Sequence, residues 1–226
     1  MTKLHMPTAG GRQSLTCNRT NVYSSRSSYS STALKRSVLS ASSVSVEDRP
    51  IRLFGTVAES IVDGPGVRYV IFVQGCPHHC PGCHNPGSHD PRGGSETTTA
   101  ELWSAIRRDP LVTGVTFSGG EPFLWASELA ELGRAAAEVG LDVMTYTGYT
   151  YEQLLEMAET DEGVRALLTV TNYLVDGRFE QDKRDLTLKY RGSSNQRILD
   201  VTCYPNSTNA LTPHWCGEVA ADGHRR

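Results

Sequence analysis

Three cysteines stand within eight consecutive positions of the stretch Gly75-Cys76-Pro77-His78-His79-Cys80-Pro81-Gly82-Cys83-His84-Asn85-Pro86. Proline has no amide hydrogen for a helical ladder and glycine punctuates the backbone, so this segment must be a loop. The spacing C-x3-C-x2-C gathers three thiols around one small volume, which suits one corner of a cubane iron-sulfur cluster. A closed ferredoxin site takes four cysteines and a structural zinc site takes four ligands. The other cysteines are remote in sequence, Cys17 upstream and Cys203 and Cys216 downstream, so three protein ligands leave one metal position open. A zinc ion completed by His78, His79 or His84 is the competing use of the same loop.

The sequence around the loop alternates between two periodicities. Tyr69-Val70-Ile71-Phe72-Val73 is an apolar, β-branched run, and predicts a buried strand that ends where the loop begins. Thr98 and Glu101 have the spacing of a capping box for a helix that Pro110 would stop. Val115-Thr116-Phe117 reads as a second strand, followed at once by Gly119-Gly120. Leu129, Leu132, Ala136 and Val139 share one helical face, with Gly140 as terminator. Residues 142–147 read as a third strand, Thr150 and Gln153 cap another helix, and Tyr173-Leu174-Val175 is a fourth strand. Strands alternating with helices imply an α/β fold with parallel pairing and crossover helices. Ligands in such sheets collect at the carboxyl ends of the strands. The cysteine loop, residues 119–122 and residues 147–149 each follow a strand, so all three should share one rim.

Composition narrows the classes of function. A formal net charge of -3 and 38% hydrophobic residues describe one globular unit rather than a general nucleic-acid binder. No apolar run approaches the roughly 18 residues of a membrane span. Clustered cysteines without a secretory apolar segment favour reduced thiols and a cytoplasmic location. Residues 1–48 are rich in serine, carry no acidic residue before Glu47, and read as a disordered extension. The same arginine- and serine-rich composition is that of an organelle transit peptide. Residues 49–201 form the expected domain, and residues 202–226 a flexible tail outside the core.

Several further motifs occur in order: Val62-Asp63-Gly64-Pro65-Gly66-Val67-Arg68, Ser118-Gly119-Gly120-Glu121-Pro122, Thr147-Gly148-Tyr149, Val175-Asp176-Gly177-Arg178-Phe179 and Tyr190-Arg191-Gly192-Ser193-Ser194-Asn195-Gln196-Arg197. With the cysteine loop, they resemble the radical S-adenosylmethionine superfamily from about Arg52 to Val201. Within it they are most similar to the glycyl-radical activating enzymes that act on anaerobic ribonucleoside-triphosphate reductase. Many superfamily members carry an aromatic residue before the third cysteine; Gly82 departs from that pattern and resembles this branch.

The resemblance implies a partial (β/α) barrel open on one side. It implies a 4Fe-4S cluster on Cys76, Cys80 and Cys83, with the fourth iron chelated by S-adenosylmethionine, and Gly82, Gly119, Gly120, Glu121 and Thr147 around that cosubstrate. Reductive cleavage would give a 5′-deoxyadenosyl radical that takes hydrogen from a glycine in the large reductase subunit. An unidentified low-potential donor would supply the electron, and neither nucleic acid nor membrane takes part. Two alternatives stand beside this reading. A pyruvate formate-lyase activating enzyme shares D-G-P-G-x-R, the cysteine spacing and H-N-P; a zinc-binding module would have no catalysis.

Other residues have two uses each. Arg68 follows a turn-like stretch that could instead border the cluster. Tyr146 and Tyr149 suit adenine packing or the core, and residues 191–195 a surface turn or a nucleotide contact. Glu121 could complement the cosubstrate ammonium or start the next helix. The triplet His84-Asn85-Pro86 would shape the loop exit. Cys203, His214 and Cys216 belong to no recognisable framework.

Overall fold

The structure, a computed structural model, describes residues 44–213. Cys17, the serine-rich runs, His214 and Cys216 lie outside the described residues. One sheet of seven strands has the order β3-β1-β2-β4-β5-β6-β7. The strands are β1 Pro50–Ser60, β2 Arg68–Val73, β3 Ser95–Thr98, β4 Gly114–Gly119, β5 Asp142–Tyr146, β6 Tyr173–Asp176 and β7 Arg197–Asp200. β2, β4, β5 and β6 run parallel as successive neighbours. β1 is antiparallel to both β2 and β3, and β7 is antiparallel to β6.

The parallel centre is the one the alternating pattern predicts, whereas the antiparallel flanks are not. In β1 only Ile51, Leu53 and Ser60 are buried, and its register against β2 slips twice. β3 contains no apolar residue. β7 has only four residues, too few for a period to declare itself.

Four helices complete the unit: α1 Thr99–Arg108, α2 Ala126–Glu138, α3 Tyr151–Thr160 and α4 Glu162–Val170. Both capping boxes close, Thr98 with Glu101 and Thr150 with Gln153, satisfying helical amides that would otherwise lack partners. Gly140 supplies a φ of +77° just beyond α2, a conformation glycine adopts without steric cost. Asp161 ends α3 and caps α4 by accepting from the Val164 amide at 3.1 Å. That shared cap divides a helical stretch whose boundary the sequence pattern does not reveal.

Strand alternation sends two sets of side chains to opposite faces. Ile71, Val73, Val115, Phe117, Val143 and Leu174 join Leu102, Trp103, Ile106, Leu129, Leu132, Leu154 and Leu167 in the main core, so the helices cover that face. Each such large apolar side chain contributes about 1.5–3 kcal/mol by leaving water. The opposite face carries a smaller cluster of Met144, Tyr173, Val175 and Ile198, with Tyr146 and Tyr190 packed on it. The core reaches beyond the expected domain limits. Val44 and Val46 pack against it, the Trp103 indole donates to Val44 O at 3.3 Å, and Tyr204 is only 7% exposed within it. Residues flanking 49–201 therefore belong to the packed unit.

Arg68 stands at the amino end of β2, away from the cysteine loop. Its fully buried guanidinium pairs with Asp142 and donates to Thr116 Oγ1 at 3.0 Å and Val115 O at 2.6 Å. Burial raises the Asp142 pKa, with Arg68 acting in the opposite direction. The arginine thus ties the starts of three strands together rather than bordering the cluster loop. Among the described residues, no helix is long and apolar enough to cross a membrane.

Candidate active site

The carboxyl ends of the parallel strands converge on a cavity of ≈ 490 Å³. Phe72, Ser118 and Tyr146, from the ends of β2, β4 and β5, form part of its wall. Cys76, Cys80 and Cys83 line it from the loop after β2, as do Gly119 and Gly120 at the end of β4 and Thr147 and Gly148 after β5. One rim therefore does gather the three predicted segments. Val62 and Asp63 add a further wall from the segment before β2, and residues 177–196 supply several more lining groups, among them Arg178, Tyr190 and Arg191.

The cysteine loop is held by its own backbone and by its neighbours. Gly75 and Cys76 amides donate to Ser88 O and His89 O, and the Cys83 amide donates to Cys80 O at 3.1 Å. This last bond closes a turn with Pro81 second and Gly82 third, and Gly82 has a φ of +71°. Proline followed by a residue of positive φ is the pattern of a type II turn, which favours glycine at the third position. A side chain at Gly82 would also run into Gln181, whose Oε1 lies 2.8 Å from the place of a Cβ. Gly82 is not among the cavity-lining residues; it shapes the turn that presents Cys80 and Cys83. Asn85 then donates its amide to Cys83 Sγ at 3.4 Å and accepts from Ser88, while the His84 ring lies 5.1 Å from that of Phe179.

Glu121 takes a different place from the one implied by the resemblance. Its carboxylate is fully buried and does not line the cavity. Oε1 accepts from the Phe123 amide at 3.1 Å and the Thr147 hydroxyl at 2.9 Å. Oε2 accepts from the Gly148 amide at 2.9 Å and from His78 Nε2 at 2.7 Å. Four donors saturate the carboxylate, so Glu121 joins the three rim segments from behind the wall and also starts the short helical turn Pro122–Trp125. His78 is clamped at the same point: Tyr149 meets its ring edge-on at 4.6 Å, and a Cβ at Gly148 would lie 2.2 Å from His78 Cδ2.

The paired glycines serve close approach of backbones. A Cβ on Gly119 would come within 2.5 Å of Val73 N, and one on Gly120 within 2.1 Å of Gly75 O. The Gly120 and Glu121 amides donate to Val73 O and Gly75 O, binding the end of β4 to the start of the cysteine loop. Beyond β6, Gln196 organises the loop of residues 177–196: its Oε1 accepts from the Gly192 and Ser193 amides and its Nε2 donates to Gly177 O. The sequence motif around Arg191 and Asn195 thus builds a cavity wall. The His78–Glu121 contact has no short-range sequence signal, because it joins segments distant along the chain, and the same holds for the bond from Gln196 to Gly177.

None of the four described cysteines is in a disulfide, and Cys203 stands apart from the cavity. Burial pushes the Cys76 and Cys80 thiols above their ordinary range, so a metal binding there must displace protons. Among the described residues, no three histidine, cysteine or acidic side chains are grouped to hold a single metal ion. A cubane makes a different demand, since each of its irons takes its own thiolate. Three thiols distributed over one cavity wall fit that demand.

Comparison with known proteins agrees with the donor set. A family model described as a 4Fe-4S single cluster domain matches residues 62–199. The chain is 37% identical over 147 residues to an anaerobic ribonucleoside-triphosphate reductase-activating protein of Salmonella typhi, covering 61% of this chain and 91% of that protein. A protein of the same name from Vibrio cholerae serotype O1 is 37% identical over 151 residues, covering 63% of this chain and 93% of the relative. A pyruvate formate-lyase-activating enzyme of Clostridium pasteurianum is 37% identical over 114 residues, but covers 46% of this chain and 48% of that enzyme.

Proposed function

This chain belongs to the family of anaerobic ribonucleoside-triphosphate reductase-activating proteins, and we propose that it installs a glycyl radical in the large subunit of that reductase. The observation carrying this reading is that three free thiols from one loop share a single cavity with residues 118–120 and 147–148. When bound, the cluster supplies a low-potential electron for reductive cleavage of S-adenosylmethionine, from which hydrogen abstraction at the glycine follows.

The chain's own residues bind, orient and shield. Cys76, Cys80 and Cys83 would each hold one iron as thiolate, leaving the fourth for the cosubstrate. Backbone carbonyls of residues 118–120 accept from the methionine ammonium, and Tyr146 packs beside the nucleoside. Thr147 borders the same space, its hydroxyl committed to Glu121. Glu121 fixes the three rim segments without touching the cosubstrate. Residues 177–196 shield the reacting atoms from water while leaving the entrance for a protein segment. A partial (β/α) barrel is the corresponding fold, supported by four parallel neighbours with every helix packed on one face. An external low-potential donor and a reducing compartment, the cytosol, complete the proposal.

The test replaces Cys76, Cys80 and Cys83 singly by alanine in the anaerobically reconstituted chain. Each replacement is expected to abolish stable 4Fe-4S binding and formation of 5′-deoxyadenosine, while Cys203→Ala leaves both unchanged. Wild-type iron content and cleavage in any loop variant would remove the assignment. The similarity to a pyruvate formate-lyase-activating enzyme favours a second reading with the same chemistry and another protein substrate. A colourless protein holding zinc would instead indicate a binding module.

A further inference from the structure

The turn that carries two of the three thiols has an outer side. Cys80 and Cys83 line the cavity, whereas Pro81 and Gly82 between them are exposed and are not among the cavity-lining residues. A cluster held by these thiols would lie one turn of backbone from the outer surface. The loop after β6 flanks that spot: Gln181 Oε1 lies 2.8 Å from the place of a Cβ on Gly82, and the Phe179 ring 5.1 Å from that of His84. Just beyond Gln181 the chain folds onto residues 193–194. Arg184 and Ser193 form an antiparallel bridge, and the Ser194 amide donates to Lys183 O at 2.9 Å.

Charge is unevenly placed on this surface. Residues 177–192 hold Arg178, Lys183, Arg184, Lys189 and Arg191 against three acids, in a chain whose formal net charge is -3, and residues 75–86 hold no acid at all. Among the described residues only Lys183 of the five cations is in an ion pair, with Glu180 at 2.7 Å. Leu186, 81% exposed, stands between Arg184 and Lys189 in the chain. We propose that Pro81, Gly82 and the cations of residues 183–189 form the docking surface for an acidic, low-potential electron-carrier protein, which reduces the cluster through the cysteine turn. This deepens the reading of the cavity as the cluster site and rests on it. A glycine that loses hydrogen must reach the cavity, whereas an electron can cross one turn of backbone from outside. One electron leaves the carrier and one enters the cluster; no bond is made or broken. Unpaired surface cations steer an acidic partner into place, and salt screens that attraction.

The test uses the reconstituted full chain with S-adenosylmethionine and, as the probe, reduced plant-type ferredoxin, an acidic carrier of about −400 mV. Formation of 5′-deoxyadenosine is measured with limiting ferredoxin and, in parallel, with photoreduced 5-deazariboflavin, a small uncharged reductant that needs no docking. The ratio of the two rates cancels differences in cluster loading. In the double variant Lys183→Glu, Arg184→Glu that ratio should fall about tenfold or more at low salt, while Lys183→Arg, Arg184→Lys keeps the wild-type ratio. The difference should vanish at about 1 M salt, where screening acts within about 3 Å. Calorimetric titration with oxidised ferredoxin, which involves no turnover, should show the same loss of binding. An unchanged ratio in the charge-reversed chain would overturn the proposal, as would a wild type that responds to deazariboflavin but not to ferredoxin. An unchanged ratio with weaker binding of the reductase subunit would give the surface to that protein instead. A wild type inactive with deazariboflavin would sink the cluster reading beneath the proposal.

Discussion

His78 Nε2 and Glu121 Oε2 meet at 2.7 Å, joining the cysteine loop after β2 to the turn after β4 with side chains only 4% and 0% exposed. The same carboxylate holds Thr147 and Gly148 after β5. One buried acid thus sets the relative placement of three segments that line the cavity. Its removal strips buried donors of their acceptor, which costs about 1–3 kcal/mol for each group left unsatisfied.

Glu121→Ala should accordingly lower the stability of the reconstituted protein by about 3 kcal/mol, read from urea unfolding under anaerobic conditions. Glu121→Gln keeps the shape and part of the accepting capacity, and should lose less. A loss below about 1 kcal/mol in the alanine variant, within the range of an ordinary hydrogen bond, would mean that the carboxylate does not organise the rim.

Gly82 offers a second test, because the turn requires a positive φ there. Gly82→Phe, which introduces an aromatic residue before the third cysteine, should destabilise by about 1–2 kcal/mol through the left-handed backbone and reduce iron loading. Gly82→Asn should be milder, since asparagine tolerates that conformation. Equal stability and loading for phenylalanine and glycine would remove the turn as the reason for glycine at this position.

The acid limb of stability has a named contributor. Arg197 donates to Glu152 and to Asp176, and its hydrogen bond to Glu152 lowers that carboxyl's pKa to about 2. A depressed carboxylate stabilises the fold above its unfolded value near 4.5, and that contribution is lost as the pH falls toward 2. The pair is solvent-exposed, with side chains 45% and 63% accessible, so screening limits it to about 1 kcal/mol or less. Wild type should therefore exceed Glu152→Gln in stability at pH 6 and lose that margin by pH 2, as measured by denaturant titration at low salt. A margin that persists at pH 2 would assign the effect to another group.

The fold and site were legible in the sequence to different depths. The parallel strands announce themselves through apolar runs, and α1 and α3 through Thr98 with Glu101 and Thr150 with Gln153. The thiols are legible because their short spacing alone brings them together. β1 and β3 are not, since their stability comes from pairing with neighbours rather than from a strong apolar pattern. Glu121 was legible as a site residue and as the start of the next helical turn, but not as the tie between rim segments: a carboxylate beside two glycines looks available to a ligand until Thr147, Gly148 and His78 arrive from other segments. Arg68 was hidden for the same reason, its partner Asp142 lying on another strand.

The packed boundary can be located by truncation. Thr99 Oγ1 donates to Glu47 O, and Val44 and Val46 pack on the core. A chain beginning at residue 49 should therefore melt below one beginning at residue 44, by roughly 4–8 °C if about 2 kcal/mol is lost. Identical melting by circular dichroism would return the boundary to residue 49.

The central claim is tested most directly by electron paramagnetic resonance of the reduced, reconstituted protein mixed without oxygen with S-adenosylmethionine and the large subunit of anaerobic ribonucleoside-triphosphate reductase. The account predicts a glycyl-radical doublet that collapses when the glycine α-carbon is deuterated, with the label recovered in 5′-deoxyadenosine. No doublet with the reductase, but one with pyruvate formate-lyase under the same conditions, would contradict the assigned substrate.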